Sequence, residues 1–249
     1  MADNKAWDSY VINANLDAAQ IASSNFNELA SKVLNSIRPS DRLQGATLTG
    51  GRSATELALL DAFRLRKGTN SAIGFGGSNH GQGLSMTQFA HPGMSMSMGW
   101  PCLNYPTSDE QTLDEVRTNL RNGNVAAVML EPVNWQTGAV ISSKLINQIG
   151  ELAHESDAAL IVDETNTGCG ATGNGFWAYN GDAADYVSFG KRTQATGYFT
   201  NAHEGVVLGG SEMDVALLAL IKKEMDGNNL IDQVQRVGKS LQSSVSRAA

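Results

Sequence analysis

The sequence predicts an α/β fold built on a mainly parallel sheet, and three observations carry that expectation. Val125-Ala126-Ala127-Val128-Met129-Leu130 and Ala158-Ala159-Leu160-Ile161-Val162 are uninterrupted apolar runs, the pattern of strands buried on both faces. Between them, Ile141 to Glu155 has helical spacing, with Leu145, Ile146, Ile149, Leu152 and Ala153 on one face. Strand, helix and strand in that order favour a parallel crossover connection. Both runs end on carboxylates, Glu131 and Asp163-Glu164, and ligands of open α/β sheets collect beyond the carboxyl ends of such strands.

The other elements follow in order. Residues 1–24 show no strong period and form an N-terminal extension of irregular structure or a short docking helix. From Phe26 to Ile37 the spacing is helical, with Asn25 as N-cap and Pro39 as the stop. Thr47 to Glu56 is a glycine-containing loop opening onto an amphipathic helix through Leu57, Leu60 and Phe63. Ala72 to Phe75 is a strand that leads into the Gly76 to Gly83 loop. Residues 84–106 are rich in Met and Ser, and the alternation from Met94 to Met98 suits a half-buried strand or an adaptable loop. Asp109 to Leu120 is helical. Tyr186 to Phe189 is a strand that delivers Lys191 to the sheet edge that Asp163 reaches. Gly168 to Gly173 spells GxGxxG, yet no amphipathic helix starts there, so it is a turn and not a nucleotide fingerprint. Thr196 to Phe199 and Val206 to Gly210 are further strands; Glu212 to Met225 and the stretch from Leu230 onward are helices.

Composition narrows the classes. At 249 residues, 41% hydrophobic, the chain suits one large α/β domain better than two small ones. A net charge of −7 without Lys/Arg clusters argues against nucleic acid as a partner. No apolar run approaches membrane-spanning length. Cys102 and Cys169 form neither a disulfide framework nor a zinc signature. The first residues lack the features of a signal or transit peptide, so the expectation is a cytoplasmic chain or one from which a targeting segment is missing.

A lysine and an acid converging on one crevice is the minimum a pyridoxal phosphate site requires: an amine for the Schiff base and an acid to keep the ring nitrogen protonated. Alone that pair is a weak signal, because both residues are common at strand ends. The surrounding letters sharpen it. Asp163-Glu164-Thr165-Asn166-Thr167-Gly168, Gly170-Ala171-Thr172-Gly173, Phe176-Trp177-Ala178 and Lys191 resemble, in order and separation, the fold-type I, class III pyridoxal-phosphate aminotransferases, and most closely their 4-aminobutyrate transaminase branch.

The resemblance covers about Asn25 to Leu241. It implies a three-layer α/β/α large domain over residues 25–249, with the carboxy-terminal small domain and its substrate-binding arginine absent. It also implies that Lys191 carries the Schiff base and that Asp163 pairs with the ring nitrogen. Gly51 and Arg52 fall in the phosphate cup, where Arg52 replaces a hydroxyl residue and either grips the phosphate or fills the cup; Ser53, Ala54 and Glu56 fit the same motif. Asn166 takes the place of a glutamine at the cofactor. Glu131 lies near the substrate by resemblance, with a loop or capping carboxylate as the plain alternative. His80 shapes the cofactor loop, Asn79 replaces the aromatic residue that stacks on the cofactor, and Gln82 replaces a carboxylate-binding arginine. Gly50 and Ser53 stand where animal members of the branch carry an iron-sulfur cysteine pair, and a threonine that serves the partner subunit has no counterpart.

Two functions follow. One is a transaminase that moves the amino group of an ω-amino acid to a 2-oxo acid through Lys191. The other is a catalytically inactive aminotransferase-like domain kept as a structural subunit of a larger assembly. Both imply a homodimer or incorporation in a larger complex, and the family implies a mitochondrial setting.

Overall fold

The computed structural model describes residues 26–248 apart from Arg52, residues 94–96, 106–107 and 122. Seven α-helices flank one eight-stranded sheet among the described residues: α1 (Phe26–Ser36), α2 (Ala54–Leu65), α3 (Leu84–Ala90), α4 (Asp109–Arg121), α5 (Ser143–Glu155), α6 (Glu212–Gly227) and α7 (Leu230–Ala248). The strands are β1 (Gly45–Leu48), β2 (Ser71–Phe75), β3 (Cys102–Leu103), β4 (Val125–Leu130), β5 (Ala159–Asp163), β6 (Tyr186–Phe189), β7 (Gly197–Thr200) and β8 (Gly205–Val207).

Their order across the sheet is β3-β2-β4-β5-β6-β7-β1-β8. The pairs from β3 through β6 are parallel, β7 runs antiparallel to both of its neighbours, and β8 is parallel to β1. Seven strands therefore point one way, and their carboxyl ends share one edge.

Side-chain parity makes the three layers. Along β5, Ala159 and Ile161 pack with Ala58, Leu59 and Ala62 of α2, while Leu160 and Val162 pack with Leu145, Ile146 and Ile149 of α5. Covered on both sides, β4, β5 and β6 are wholly buried, and their residues are accordingly apolar apart from Asp163 and Ser188 toward the carboxyl ends. Asp163 continues the parity of Ile161, and Ser188 that of Tyr186. Both side chains therefore belong to the α2 face, opposite one another in the β5/β6 register.

The far edge of the sheet is clamped by Asp185, which is 4% exposed. Its carboxylate accepts from Arg42 at 2.9 Å, from His154 at 2.7 Å, from the Leu160 backbone N–H at 2.9 Å and from Asn201 at 2.8 Å. The loop after α1, the end of α5 and the starts of β5 and β6 are thereby tied at one point.

Several expectations shift at their edges. The helix expected from Ile141 begins at Ser143, because the Ser142 hydroxyl caps it by accepting from Leu145 N at 3.1 Å. The strand expected from Thr196 starts at Gly197. Thr47 and Leu48, read as the start of a loop, belong to β1, and the Met/Ser-rich region contains α3 and the two-residue β3. The Met94 to Met96 part of the alternating run, Asn25 as N-cap and the extension 1–24 lie outside the described residues. Gly168 to Gly173 is a succession of turns, as expected.

Removing the Asp185 carboxylate orphans the buried Leu160 N–H along with two basic partners. Asp185→Ala is expected to cost about 2–3 kcal/mol in urea unfolding, whereas Val237→Ala, at a site 66% exposed on α7, is expected to change stability by less than about 0.5 kcal/mol. Equal effects of the two would contradict the clamp.

Candidate active site

The carboxyl edge of the sheet holds a cavity of about 500 Å³, lined among others by Ser53, Thr55, Asn79, His80, Thr165 and Lys191. Each lining segment leaves a parallel strand: Gly51 and Ser53 after β1, the Gly76 to Gly83 loop after β2, Thr165 after β5, and Gly190-Lys191 after β6. Thr196 joins them just before the antiparallel β7.

Lys191 opens a single 3₁₀ turn, Lys191–Thr193, with φ 56°. A left-handed non-glycine residue costs about 1–3 kcal/mol and persists where its surroundings fix it. Its Nζ donates to Asn166 Oδ1, and Asn166 Nδ2 donates to Glu131 Oε1 at 2.8 Å. One amide thus joins the amine to the carboxylate at the end of β4. Arg192 donates to the Asn166 backbone carbonyl and so holds that amide in place.

Asp163 is 1% exposed and sits directly behind the cavity wall. Its Oδ1 accepts from the Thr165 hydroxyl at 2.7 Å and the Thr165 N–H at 2.9 Å. Its Oδ2 accepts from Thr55 Oγ1 at 2.9 Å and faces His80 Nδ1 at 2.9 Å. Burial alone would raise its pKa, but the hydrogen bond and charge of His80, together with the Thr165 donors, hold it below its ordinary value. For His80 burial works downward, and Asp163 and Glu131 outweigh it, so its pKa is raised. The Nε2 atom of His80 is buried without a partner among the described residues. Burial pushes the pKa of Glu131 upward. Glu131 also accepts from the backbone N–H groups of Asn79 and Trp135, both at 3.4 Å.

Helix α2 starts beside this network. Ser53 caps it by accepting from Glu56 N at 3.4 Å, and donates to the His80 carbonyl at 3.0 Å. Gly51 has φ 79°, which glycine adopts without strain. A Cβ on Gly83 would lie 1.8 Å from Glu56 Oε1, so any larger residue there requires the Glu56 carboxylate to move. Gly51 and Ser53 lie where an anion would meet the first turn of a twelve-residue helix.

Of the residues singled out in the sequence, Gly51 and Lys191 line the cavity, Asp163 backs it, and Asn166 and Glu131 are joined to Lys191 by hydrogen bonds. Arg52 lies outside the described residues. His80 does more than shape a loop, since its ring contacts Asp163. The neighbouring acid, Glu164, serves the fold instead. It accepts from the Tyr179 N–H at 2.6 Å and from the Thr167 hydroxyl, and so holds the glycine-rich turn. Sequence reasoning does not single out Thr55, Thr165 or Ser188 as site residues. The signal available is a polar residue, Ser188, within an otherwise apolar buried strand.

The mainly parallel sheet, with an amine in the cavity, a buried carboxylate behind it and a helix start beside it, belongs to an α/β fold shared with solved aminotransferases. The aminotransferase class-III family model matches residues 15–249, and the chain belongs to that family. It is 26% identical to the Caenorhabditis elegans protein named "Probable 4-aminobutyrate aminotransferase, mitochondrial", over 88% of this chain and 58% of that protein. It is 28% identical to an L-lysine-epsilon aminotransferase of Amycolatopsis lactamdurans, over 51% of this chain and 32% of that protein. The chain thus spans about a third to three fifths of the length of these relatives. Among solved structures, the lysine aminotransferase of M. tuberculosis superposes with a TM-score of 0.79 at 20% identity, covering 95% of this chain and 67% of that one. An ornithine aminotransferase from Toxoplasma gondii, whose active site holds PLP at partial occupancy, superposes with a TM-score of 0.74 at 18% identity over 96% of this chain and 63% of that one.

The family indicates pyridoxal 5'-phosphate, and the residues present fit it. The cavity is of small-cofactor size, the amine and the buried carboxylate approach it from adjacent strands, and the helix start offers backbone N–H groups to a phosphate.

The pKa directions fix a pH dependence of stability. Because the His80 value is raised, its stabilising contribution is complete below about pH 6.5 and is lost as pH rises through the higher folded value. Because the Asp163 value is lowered, its contribution is present above 3.8 and is lost as pH falls through the lower folded value. The urea midpoint of the wild-type chain is therefore expected to decline on the alkaline side of pH 6.5, and His80→Gln to flatten that decline. Parallel profiles for the two proteins would contradict the assignment.

Proposed function

We propose that residues 25–249, behind an extension at 1–24, are the cofactor-binding domain of a class III aminotransferase that moves the terminal amino group of an ω-amino acid to a 2-oxo acid. The observation that carries this reading is Lys191 Nζ in a cavity backed by the buried Asp163, a carboxylate held ionised by its surroundings. Relatives named for lysine-epsilon and 4-aminobutyrate transamination support a donor whose amine lies at the end of a carbon chain. Support for 4-aminobutyrate in particular comes from the resemblance of the Asp163 to Lys191 stretch.

Pyridoxal phosphate, when bound, supplies an electron sink for the carbon that bears the amine. The chain supplies the rest. Asp163 would present negative charge toward a protonated ring nitrogen, and the start of α2 with Gly51 and Ser53 would hold the phosphate. By resemblance Arg52, next to them in sequence, belongs to the same phosphate motif, where it either grips the phosphate or fills the cup. Lys191 Nζ would hold the cofactor until the donor's amine displaces it, and the freed Lys191 amine would then take the proton from the donor's amine-bearing carbon and return it as a general acid. Asn166 aims that amine by accepting from Nζ, and it is anchored by Glu131. Glu131, buried and with a raised pKa, stands near the substrate and bears on which amine reacts.

The intact donor set around Asp163 favours a working site over a retired scaffold. A homodimer is the assembly proposed, and a mitochondrial setting is supported by the nematode relative's name. Purified protein mixed with pyridoxal phosphate is expected to show a visible absorption band that Lys191→Ala lacks, and that band is expected to shift on adding 4-aminobutyrate or lysine. No band at saturating cofactor would contradict the proposal.

A further inference from the structure

Asp163 has about four lone-pair positions, and the protein's own donors fill all four: the N–H and hydroxyl of Thr165 on Oδ1, and Thr55 and His80 on Oδ2. Thr55, His80 and Thr165 also line the cavity, so they stand between it and the carboxylate. A protonated ring nitrogen can reach Asp163 only where one of these donors yields. The Thr165 N–H is fixed in the backbone, the Thr165 hydroxyl has Asp163 as its one partner among the described residues, and His80 is held by burial with its other ring nitrogen unpartnered there. Thr55 differs from all three. Its Oγ1 lies 2.7 Å from Ser188 Oγ as well as 2.9 Å from Asp163 Oδ2, and a hydroxyl turns about a single bond.

We propose that Thr55 and Ser188 form a hydroxyl switch, in which Thr55 donates to Asp163 while the cavity is empty and turns to donate to Ser188 when a ring N–H cation takes its place on Oδ2. No covalent bond changes and no proton leaves its oxygen; the Thr55–Ser188 bond reverses direction. The fold places the pair for this. Asp163 and Ser188 are register partners on adjacent strands facing α2, and Thr55 lies in the first turn of that helix. Before the ligand binds, the carboxylate is thus kept satisfied and ionised; on binding, Thr55 keeps an acceptor in Ser188 Oγ, and the Ser188 hydroxyl proton, which had pointed at Thr55, turns away from it. Thr55 and Ser188 are positioning residues, and the inference rests on the cofactor reading above.

The test is calorimetric titration of the full chain with 4'-deoxypyridoxine 5'-phosphate, which carries the ring nitrogen and phosphate but no aldehyde to react with Lys191. The switch makes opposite predictions for its two halves. Thr55→Val removes the donor that must yield, so the ligand is expected to bind as tightly as to wild type or more tightly. Ser188→Ala removes the hydroxyl's second acceptor, so binding is expected to weaken about tenfold. Thr55→Ser keeps the hydroxyl and is expected to match wild type, which separates the switch from loss of packing at α2. Weakening of both Thr55→Val and Ser188→Ala to a similar extent, or of neither, overturns the switch while leaving the cofactor reading in place. Failure of the folded wild type to bind the ligand overturns both.

Discussion

An ionised carboxylate buried at the end of a parallel strand is the constraint around which this site is arranged. Asp163 at 1% exposure would be unstable as an anion without donors, because burial favours its neutral form. The surroundings supply them from three elements: Thr165 from the turn after β5, Thr55 from the start of α2 and His80 from the loop after β2. Residues more than a hundred positions apart are brought together by the need to satisfy two oxygen atoms.

That need is met because the sheet is parallel on both sides of β5. Parallel strands end at one edge, so the loops after β1, β2, β4, β5 and β6 converge, and α2 can cover the face to which Asp163 and Ser188 both belong. The reversed β7 brings Thr196 back into the same edge. Asp185 closes the opposite edge, joining the starts of β5 and β6 to α5. Charged groups thus mark both ends of the central strands, with different consequences: a satisfied clamp at the amino ends, and a cavity with an amine at the carboxyl ends.

Where the sequence is easy to read, burial on both faces has written a continuous apolar run. The strands β4, β5 and β6 are legible for that reason, and with them the positions of Glu131, Asp163 and Lys191. The four residues of β1 and the two of β3 are too short to show a period, and β1 lies next to glycines that favour a turn in any local reading. Helix α3 has seven residues and buries the polar Gln88 along with Met86 and Phe89, so its apolar pattern is faint. Thr55 is invisible as a site residue because a threonine in a first helical turn is ordinary; its partners Asp163 and Ser188 are 108 and 133 residues away. The resemblance to class III aminotransferases locates the acid and the amine, but it does not show that hydroxyls stand between the cavity and the acid.

Asp163 is on this reading an anion before any ligand arrives, held so by its own neighbours. Carboxyl carbon NMR of the ligand-free chain, with aspartate labelled and Asp163 assigned through Asp163→Asn, tests it most directly. The Asp163 signal is expected to remain that of a carboxylate as pH falls past 3.8, the ordinary value, and to move only on further acidification. A signal that titrates at or above that value would contradict the account, because the network would then be holding a neutral acid.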